Sequence, residues 1–236
     1  MAAEAVGLDA AGPPRVTAFF DFACPFCYVD RPRLLRLRDE HAVVLDFIPF
    51  ELRPSMPPRT SVAEAGTGHS TRVEEYLDRV ATEEGIPIAH PDFVPNSHEA
   101  FALAELARDA GPEYYESMHG AVFRAYLGEG RDISDRGVLM RVALDEGFDP
   151  VQVTRVWDQR LYDGRLAALR TYAVQVGVAA TPSIIVCDRL LIGSRPYGVL
   201  EQALSACLGG EPLVPDEGES LSTPVDVSAE TESPAT

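Results

Sequence analysis

The chain has 236 residues, of which 46% are hydrophobic and 24% charged, as is ordinary for a globular protein long enough to bury a sizeable core. The net charge of −17 argues against a nucleic-acid-binding protein, because such proteins carry a basic patch on the contacting face. All 20 basic residues are arginine, which excludes mechanisms that need a lysine Schiff base or a lysine general base.

The predicted elements begin with a flexible, Ala- and Gly-rich leader over residues 1–14. A first strand over 15–22 leads into a helix over 24–40, and a strongly apolar second strand covers 43–50. Pro32 lies inside the helix and predicts a kink, because a proline removes one helical hydrogen bond.

A Cys24-Pro25-Phe26-Cys27 segment stands where the first strand gives way to the helix. Proline is favoured at the first helical position, so the sulfur of Cys24 is predicted to lie at a helix N-terminus, where free N–H groups and the helix dipole favour an anion. We therefore expect Cys24 to be exposed, with a pKa below the usual value of about 8.5. Cys27 lies one turn deeper on the same face and could resolve a mixed disulfide, which is the chemistry of dithiol–disulfide exchange.

Two other interpretations of this cysteine pair are weaker. Cys-x-x-Cys is half of a zinc site, but Cys187 and Cys207 form no second pair with ligand spacing and no His-x-x-x-His occurs, so we expect no metal. Two core cysteines that happen to stand three apart are disfavoured by the accompanying Pro25 and the strand–helix junction.

The segment 61–162 has a helical pattern throughout, with five or six helices and no strand. Ser134 is predicted to cap one of these helices, Asn96 with Glu99 resembles a capping box, and Asp149-Pro150 opens another helix. This segment is therefore predicted to form a helical subdomain.

From Asp163 a last helix of the run leads back to the sheet. A strand opens at Thr181-Pro182 and reaches Cys187, a second strand over 190–192 runs antiparallel to it, and a helix over 196–208 closes the fold. Residues 211–236 hold seven acidic residues, no basic residues and four prolines, so we predict a disordered acidic tail.

The location of the protein bears on its cysteines. No apolar stretch approaches the roughly 20 residues that span a bilayer, and the leader is not a signal peptide, so we expect a cytoplasmic protein with no membrane partner. Cytosolic disulfides are usually transient and catalytic, which disfavours a structural bridge between Cys187 and Cys207. For Cys187 we expect an apolar packing role.

Four segments, taken together, match a known family. They are Asp21-x-x-Cys24-Pro25-Phe26-Cys27-Tyr28, Phe50-Glu51-Leu52-Arg53-Pro54-x-Met56-Pro57-Pro58, Phe123-Arg124-Ala125-Tyr126 with Gly130-Arg131-Asp132-Ile133, and Gly177-Val178-x-x-Thr181-Pro182-Ser183. In this order they resemble the DsbA family, and within it the FrnE-like cytosolic branch. The resemblance implies an α/β, thioredoxin-like fold with an inserted α-helical subdomain. Residues 15–60 and 163–210 would form the thioredoxin-like domain and 61–162 the insertion.

The resemblance also implies roles for individual residues. Cys24 would be the nucleophile and Cys27 the resolving thiol, with Pro182 in cis beside them. The backbone before that proline would face the active site and pair with a substrate chain as a short strand. A trans proline that merely starts a strand is the alternative. The implied substrate-binding residues are Pro25, Phe26, Thr181 and Pro182.

Phe26 stands where the family often has Trp or His. A phenylalanine can neither hydrogen-bond nor carry charge, so we expect a less oxidising couple than that of DsbA, whose potential is about −120 mV. Asp21 could act as a buried proton acceptor for Cys27 or could equally cap a loop. The five histidines have no partners at ligand spacing and are expected to be ordinary surface or core residues; they are His41, His69, His90, His98 and His119.

Three functions follow as hypotheses. The first is a thiol–disulfide oxidoreductase or isomerase that acts on protein or small-molecule thiols and disulfides, without a tightly bound cofactor and with glutathione as a candidate co-substrate. The second is a glutathione-dependent transferase or isomerase of the kappa or 2-hydroxychromene-2-carboxylate isomerase type, whose members usually lack the full cysteine pair. The third is a non-enzymatic chaperone that uses the helical subdomain.

Overall fold

The computed structural model describes residues 12–68 and 70–209. In chain order the elements are β1 (Arg15–Phe20), α1 (Pro25–His41), β2 (Val44–Pro49), β3 (Thr60–Ser61), α2 (Val62–Ala65), α3 (Thr71–Glu83), β4 (Phe93–Val94), α4 (His98–Ala110), α5 (Pro112–Phe123), a π-helical turn (Arg124–Gly128), α6 (Arg136–Asp145), α7 (Pro150–Asp158), α8 (Asp163–Gln175), β5 (Ser183–Val186), β6 (Arg189–Ile192) and α9 (Tyr197–Cys207).

A four-stranded sheet in the order β2-β1-β5-β6 organises the fold. β1 is parallel to β2 and antiparallel to β5, and β6 pairs antiparallel with β5. Four of the six residues of β1 are buried, because this central strand is covered on both faces, which explains its nearly continuous apolar run. The α/β class predicted from the sequence is confirmed.

The helix after β1 begins where the sequence predicts it. Cys24 is the N-cap residue with extended backbone angles, Pro25 is the first helical residue, and the helix continues across Pro32 to His41. The predicted kink at Pro32 stays a prediction.

Helices α2 to α7 follow β2 in the chain, and α4 and α5 among them pack against the end of β1 through aromatic rings. The ring of Phe22 lies 5.0 Å from that of Phe101 on α4 and 4.9 Å from that of Phe123 on α5. The buried imidazole of His119 lies 4.4 Å from the ring of Phe20. The two parts therefore share one apolar core, while the domain boundaries given above stay predictions.

Two details of this helical segment differ from the sequence prediction. A two-stranded ladder pairs β3 with β4, Thr60 opposite Val94, where no strand is predicted; strands of two residues carry no detectable periodicity. Asp135, not Ser134, caps α6, whereas Asp149 caps α7 as predicted. The N-cap of α4 is Ser97, so the capping box predicted one residue earlier is wrong.

The C-terminal elements contain a disulfide that the sequence analysis disfavours. Cys187 in the β5–β6 turn is bonded to Cys207 at the end of α9, with their Cα atoms 6.3 Å apart. The buried side chains of Leu200, Ala203 and Leu204 hold α9 against the fold and bring its last residue to that turn. The expectation of separate cysteines is therefore wrong, although Cys187 does pack, partly buried, against the apolar core as predicted.

Some expectations lie outside the described residues: nearly all of the leader, the tail 211–236, and His69. Among the helices of the described ranges, none is both long enough and apolar enough to cross a membrane.

Candidate active site

Cys24 is delivered to the edge of the sheet by the turn that follows β1. Its backbone N–H donates to the carbonyl of Asp21 at 3.0 Å, and α1 begins at the next residue. The sulfur thus lies at a helix N-terminus, as predicted. Both cysteines of the Cys-x-x-Cys segment are free thiols.

The Thr181–Pro182 segment meets Cys24 from 157 positions further along the chain. The peptide bond between these two residues is cis, as the family resemblance implies. The Cys24 thiol donates to the Thr181 carbonyl at 3.4 Å. The Pro182 carbonyl accepts from the N–H of Gly193 at 2.8 Å, so of these two carbonyls only that of Thr181 faces the cysteine.

The surroundings of Cys24 favour its thiolate. Burial is the largest single influence and on its own would raise the pKa of Cys24. The neighbouring Cys27 thiol, the Thr181 segment and the backbone N–H of Cys27 favour the thiolate and together outweigh burial, so the pKa of Cys24 is lowered. The backbone N–H belongs to the first turn of α1, which is the helix-terminus effect expected from the sequence.

The surroundings of Cys27 favour its protonated thiol instead. Burial raises the pKa of the Cys27 thiol, and the hydrogen bond that it gives to Cys24 and the charge of the Cys24 thiolate raise it further, well above the usual value. At neutral pH the pair therefore contains one sulfur disposed to ionise and one that retains its proton. This asymmetry is what a nucleophile and a resolving thiol require.

The predicted exposure of Cys24 is wrong. Cys24 is only 6% exposed and Cys27 only 5%. Phe26 is buried beside them, with its ring 6.2 Å from that of Tyr76 on α3, so the helical segment covers the start of α1. The sequence could not reveal this cover, because α3 lies about fifty residues away in the chain.

Asp21 organises the loop beside the cysteines. Its carboxylate accepts the N–H of Ala23 at 2.9 Å and the N–H of Leu52 at 2.8 Å. Burial raises the pKa of Asp21, and these two N–H groups and the Ser97 hydroxyl oppose that rise. These contacts match the loop-capping alternative given above. They also explain why the Ser97 side chain does not cap α4; the N–H of His98 donates instead to the Asn96 side-chain oxygen at 3.0 Å.

A charged cluster that the sequence analysis missed lies beside Asp21. His98 lies between two carboxylates, 2.8 Å from Glu51 through Nδ1 and 3.0 Å from Asp163 through Nε2. The hydrogen bond to Glu51, with that to Asp163, raises the pKa of His98 to about 9, so the imidazole is charged at neutral pH. The three residues are far apart in the sequence, with His98 47 positions from Glu51 and 65 from Asp163, so no local pattern predicts their cluster.

Neither cysteine of the pair belongs to a metal-binding group. Within residues 12–68 and 70–209, the side chains close enough together to hold an ion are those of Glu40, His41 and Glu201, at the other end of α1. The groups near Cys24 are thiol, hydroxyl, carbonyl and carboxyl groups, which suit sulfur exchange.

A family model described as the DSBA-like thioredoxin domain matches residues 15–205. The chain belongs to this family. The match covers most of the chain, so the thioredoxin-like fold predicted from the four segments is confirmed. The assignment to the FrnE-like branch stays a prediction.

Two curated relatives are similar over most of their length. The uncharacterized protein YwbO of Bacillus subtilis is 26% identical over 196 residues, which cover 80% of this chain and 95% of that protein. A 2-hydroxychromene-2-carboxylate isomerase of Sphingobium xenophagum is 25% identical over 195 residues, which cover 79% of this chain and 95% of the relative.

Solved structures show the same fold. A probable DsbA oxidoreductase from Streptomyces coelicolor superimposes with a TM-score of 0.75 at 23% identity, covering 85% of this chain and 92% of that one. The cytosolic disulfide reductase DsbM from Pseudomonas aeruginosa, solved with GSH, superimposes with a TM-score of 0.56 at 20% identity, covering 83% and 97%. At these identities the likeness concerns the fold alone.

Proposed function

We propose that this DSBA-family protein is a thiol–disulfide oxidoreductase or isomerase that exchanges disulfides through Cys24 and Cys27. One observation carries the proposal. The Cys24 sulfur lies at the start of α1, has its pKa lowered chiefly by the neighbouring Cys27 thiol, and faces the Thr181 carbonyl next to a cis-proline.

The chemistry balances within the two thiols and a substrate disulfide. The Cys24 thiolate attacks one substrate sulfur, the substrate S–S bond breaks, and the departing sulfur takes up a proton from solvent. The Cys27 thiol then loses its proton and attacks the mixed disulfide at Cys24. This releases the second substrate thiol and leaves a Cys24–Cys27 disulfide, so the substrate gains two electrons. The reverse sequence oxidises a dithiol substrate.

Thr181 and Pro182 form the proposed substrate-binding edge, and Pro25 and Phe26, which follow Cys24 in α1, are the other proposed substrate contacts. The backbone around Thr181 lies against the nucleophile, so a substrate chain that adds there as a short strand would bring its own sulfur to Cys24. Phe26 is buried against α3 and contributes an apolar wall. Since Cys24 is 94% covered, a substrate must enter along this edge rather than meet an open surface.

We further propose that the partners are protein or small-molecule thiols and disulfides, with glutathione as a co-substrate and no tightly bound cofactor. The strong net negative charge disfavours nucleic acid as a partner. A cytoplasmic location agrees with the free Cys24–Cys27 dithiol, because cytosolic dithiols cycle rather than persist as disulfides, whereas the Cys187–Cys207 disulfide is of the kind that persists in oxidising compartments.

The proposal is tested by a redox titration in glutathione buffers, followed by mass spectrometry of the trapped thiols. A variant with both Cys187→Ser and Cys207→Ser isolates the pair of interest. We expect a reversible two-electron transition of Cys24 and Cys27, with a potential more negative than the value of about −120 mV for DsbA. If no Cys24–Cys27 disulfide forms in any buffer, the assignment is wrong.

A glutathione-dependent isomerase is the second candidate, and the relative from Sphingobium xenophagum favours it. In that case glutathione would bind at the same edge and Cys27 would be dispensable. The discriminating assay measures isomerisation of 2-hydroxychromene-2-carboxylate with and without glutathione in wild type and in Cys27→Ser. Glutathione-dependent turnover that survives Cys27→Ser supports the isomerase, whereas its absence supports disulfide exchange.

A further inference from the structure

The loop between β6 and α9 is hydrogen-bonded both to the cis-proline and to the helix that carries the cysteines. The N–H of Gly193 donates to the Pro182 carbonyl at 2.8 Å. The hydroxyl of Ser194 donates to the Asp30 carboxylate at 2.6 Å, and Asp30 lies on α1 about one turn after the Cys-x-x-Cys segment. Two consecutive residues of this β6–α9 loop therefore contact the two chain segments that form the proposed dithiol site.

Ser194 also contacts the helix that covers the dithiol. Its oxygen lies 3.0 Å from the hydroxyl of Tyr76 on α3, and the ring of Tyr76 lies 6.2 Å from that of Phe26. An ionised carboxylate only accepts hydrogen bonds, so the single hydroxyl proton of Ser194 goes to Asp30, and Tyr76 must donate to Ser194. The hydrogen bonds thus form a chain from Tyr76 through Ser194 to Asp30.

Asp30 anchors this chain inside the protein. It is only 1% exposed, and within the described ranges its Oδ2 atom has no hydrogen-bond partner. Burial raises the pKa of Asp30 to about 7, and the Ser194 hydroxyl is the strongest of the contacts that oppose this rise. Arg33 lies 3.3 Å from the carboxylate, but its guanidinium is shared with Glu84 at 3.0 Å and with the Arg195 carbonyl at 3.2 Å. Because a buried carboxylate is costly without its donors, these contacts keep the β6–α9 loop in one position.

We propose that Ser194 is a positioning residue for the disulfide exchange proposed above, on which this inference rests. Through Asp30 it fixes the β6–α9 loop against α1, and through Tyr76 it fixes α3 against the same loop. The loop in turn holds the cis-proline carbonyl, so Ser194 sets the separation between the cis-proline edge and the α3 side of the site. A loose edge has to be ordered when a peptide adds to it, and that ordering weakens binding.

The expected signature is weaker substrate binding with unchanged chemistry. Ser194→Ala should raise the KM for a symmetric peptide disulfide that carries a self-quenching fluorophore about tenfold, and it should leave kcat within about twofold. The pKa of Cys24, measured by iodoacetamide labelling against pH, should not change, because the thiol that lowers it most lies on the same helix. The turnover assay is run at pH 8, where the Asp30 carboxyl is mainly ionised.

Three further variants separate a positioning role from a general loss of stability. Ser194→Thr keeps the hydroxyl and should return the KM to within about twofold of the wild-type value. Ser205→Ala, at an exposed position of α9, is the matched control and should have no effect. Tyr76→Phe should raise the KM less than Ser194→Ala, because it breaks only one bond of the chain. Combined with Ser194→Ala it should add nothing, since both changes remove the same Tyr76 bond.

The outcomes that overturn the positioning role differ from those that overturn the proposed function. A wild-type KM in Ser194→Ala, a lowered kcat or a shifted pKa of Cys24 in its place, an equal effect of Ser205→Ala, or no rescue by Ser194→Thr would each show that Ser194 has no positioning role. Disulfide exchange itself would stand if Cys24→Ser abolishes it. If Cys24→Ser still exchanges disulfides, the proposed function and the positioning role are both wrong.

Discussion

The protein contains two cysteine pairs that differ in almost every physical respect. Cys24 and Cys27 stand three residues apart at a helix start and are free thiols with oppositely shifted pKa values. Cys187 and Cys207 stand 20 residues apart and form a disulfide that joins a hairpin turn to the end of α9. Strand β5 connects the two regions, because it runs from the cis-proline at one end to Cys187 at the other.

The comparison shows that local environment decides what a cysteine pair can do. The first pair has hydrogen-bond donors and a helix N-terminus that stabilise one thiolate. The second pair lies at the end of a helix and in a turn, where its main physical effect is to link two elements and to shorten the accessible unfolded chain. The following changes test this division of roles.

The largest effect should come from replacing Cys24, the proposed nucleophile. Cys24→Ser is expected to lower disulfide-exchange activity by about three orders of magnitude or more, because a serine hydroxyl is not ionised near neutral pH. Reduction of insulin disulfides in the presence of glutathione measures this. The matched double variant, Cys187→Ser with Cys207→Ser, should keep its activity within a few-fold of the wild type. An equal loss of activity in this variant and in Cys24→Ser would contradict the different roles given to the two pairs.

For stability, the larger effect is expected from the Cys187–Cys207 pair. Removing the Cys187–Cys207 bond through the double serine variant should lower the free energy of unfolding by about 3 kcal/mol, from the loop entropy of a 20-residue separation. Urea denaturation under non-reducing conditions measures the change. Adding a reductant to the wild type should produce a similar loss, while the same reductant should leave the double serine variant unaffected.

The hydrogen bond between Cys27 and Cys24 should control nucleophile ionisation. Cys27→Ala removes a donor to the thiolate, so the pKa of Cys24 should rise, and alkylation of Cys24 should need a higher pH. Cys27→Ser restores a donor and should shift the profile less. The rate of iodoacetamide labelling, measured against pH, gives the pKa of Cys24 in each variant. Identical profiles for Cys27→Ala and Cys27→Ser would argue against the hydrogen bond.

The smallest effect is expected at Asp21. The negative charge of this carboxylate raises the pKa of Cys24, so Asp21→Asn should lower it modestly and move the labelling profile toward lower pH. Asp39→Asn, at the exposed far end of α1, serves as the control and should leave the profile unchanged. A higher pKa of Cys24 in the Asp21→Asn variant than in the wild type would contradict the electrostatic account.

Local sequence signals predicted the elements around the site well. The strand, Pro25 at the first helical position and the helix-terminal sulfur all follow from adjacent residues, and the structure contains each of them. The exposure of Cys24, the capping residue of α4 and the role of His98 could not be predicted. Each depends on a contact with a segment at least 45 residues away, such as that between Glu51 and His98.

The sequence by itself determined which sulfur would ionise, because a helix start is a local property set by a few neighbouring residues. Only the tertiary structure decided that Cys187 would reach Cys207, that α3 would cover the dithiol, and that His98 would lie between Glu51 and Asp163. The physical reason is distance: these features arise where chain segments remote in sequence are packed together by a shared apolar core, and no spacing within the sequence encodes that proximity directly.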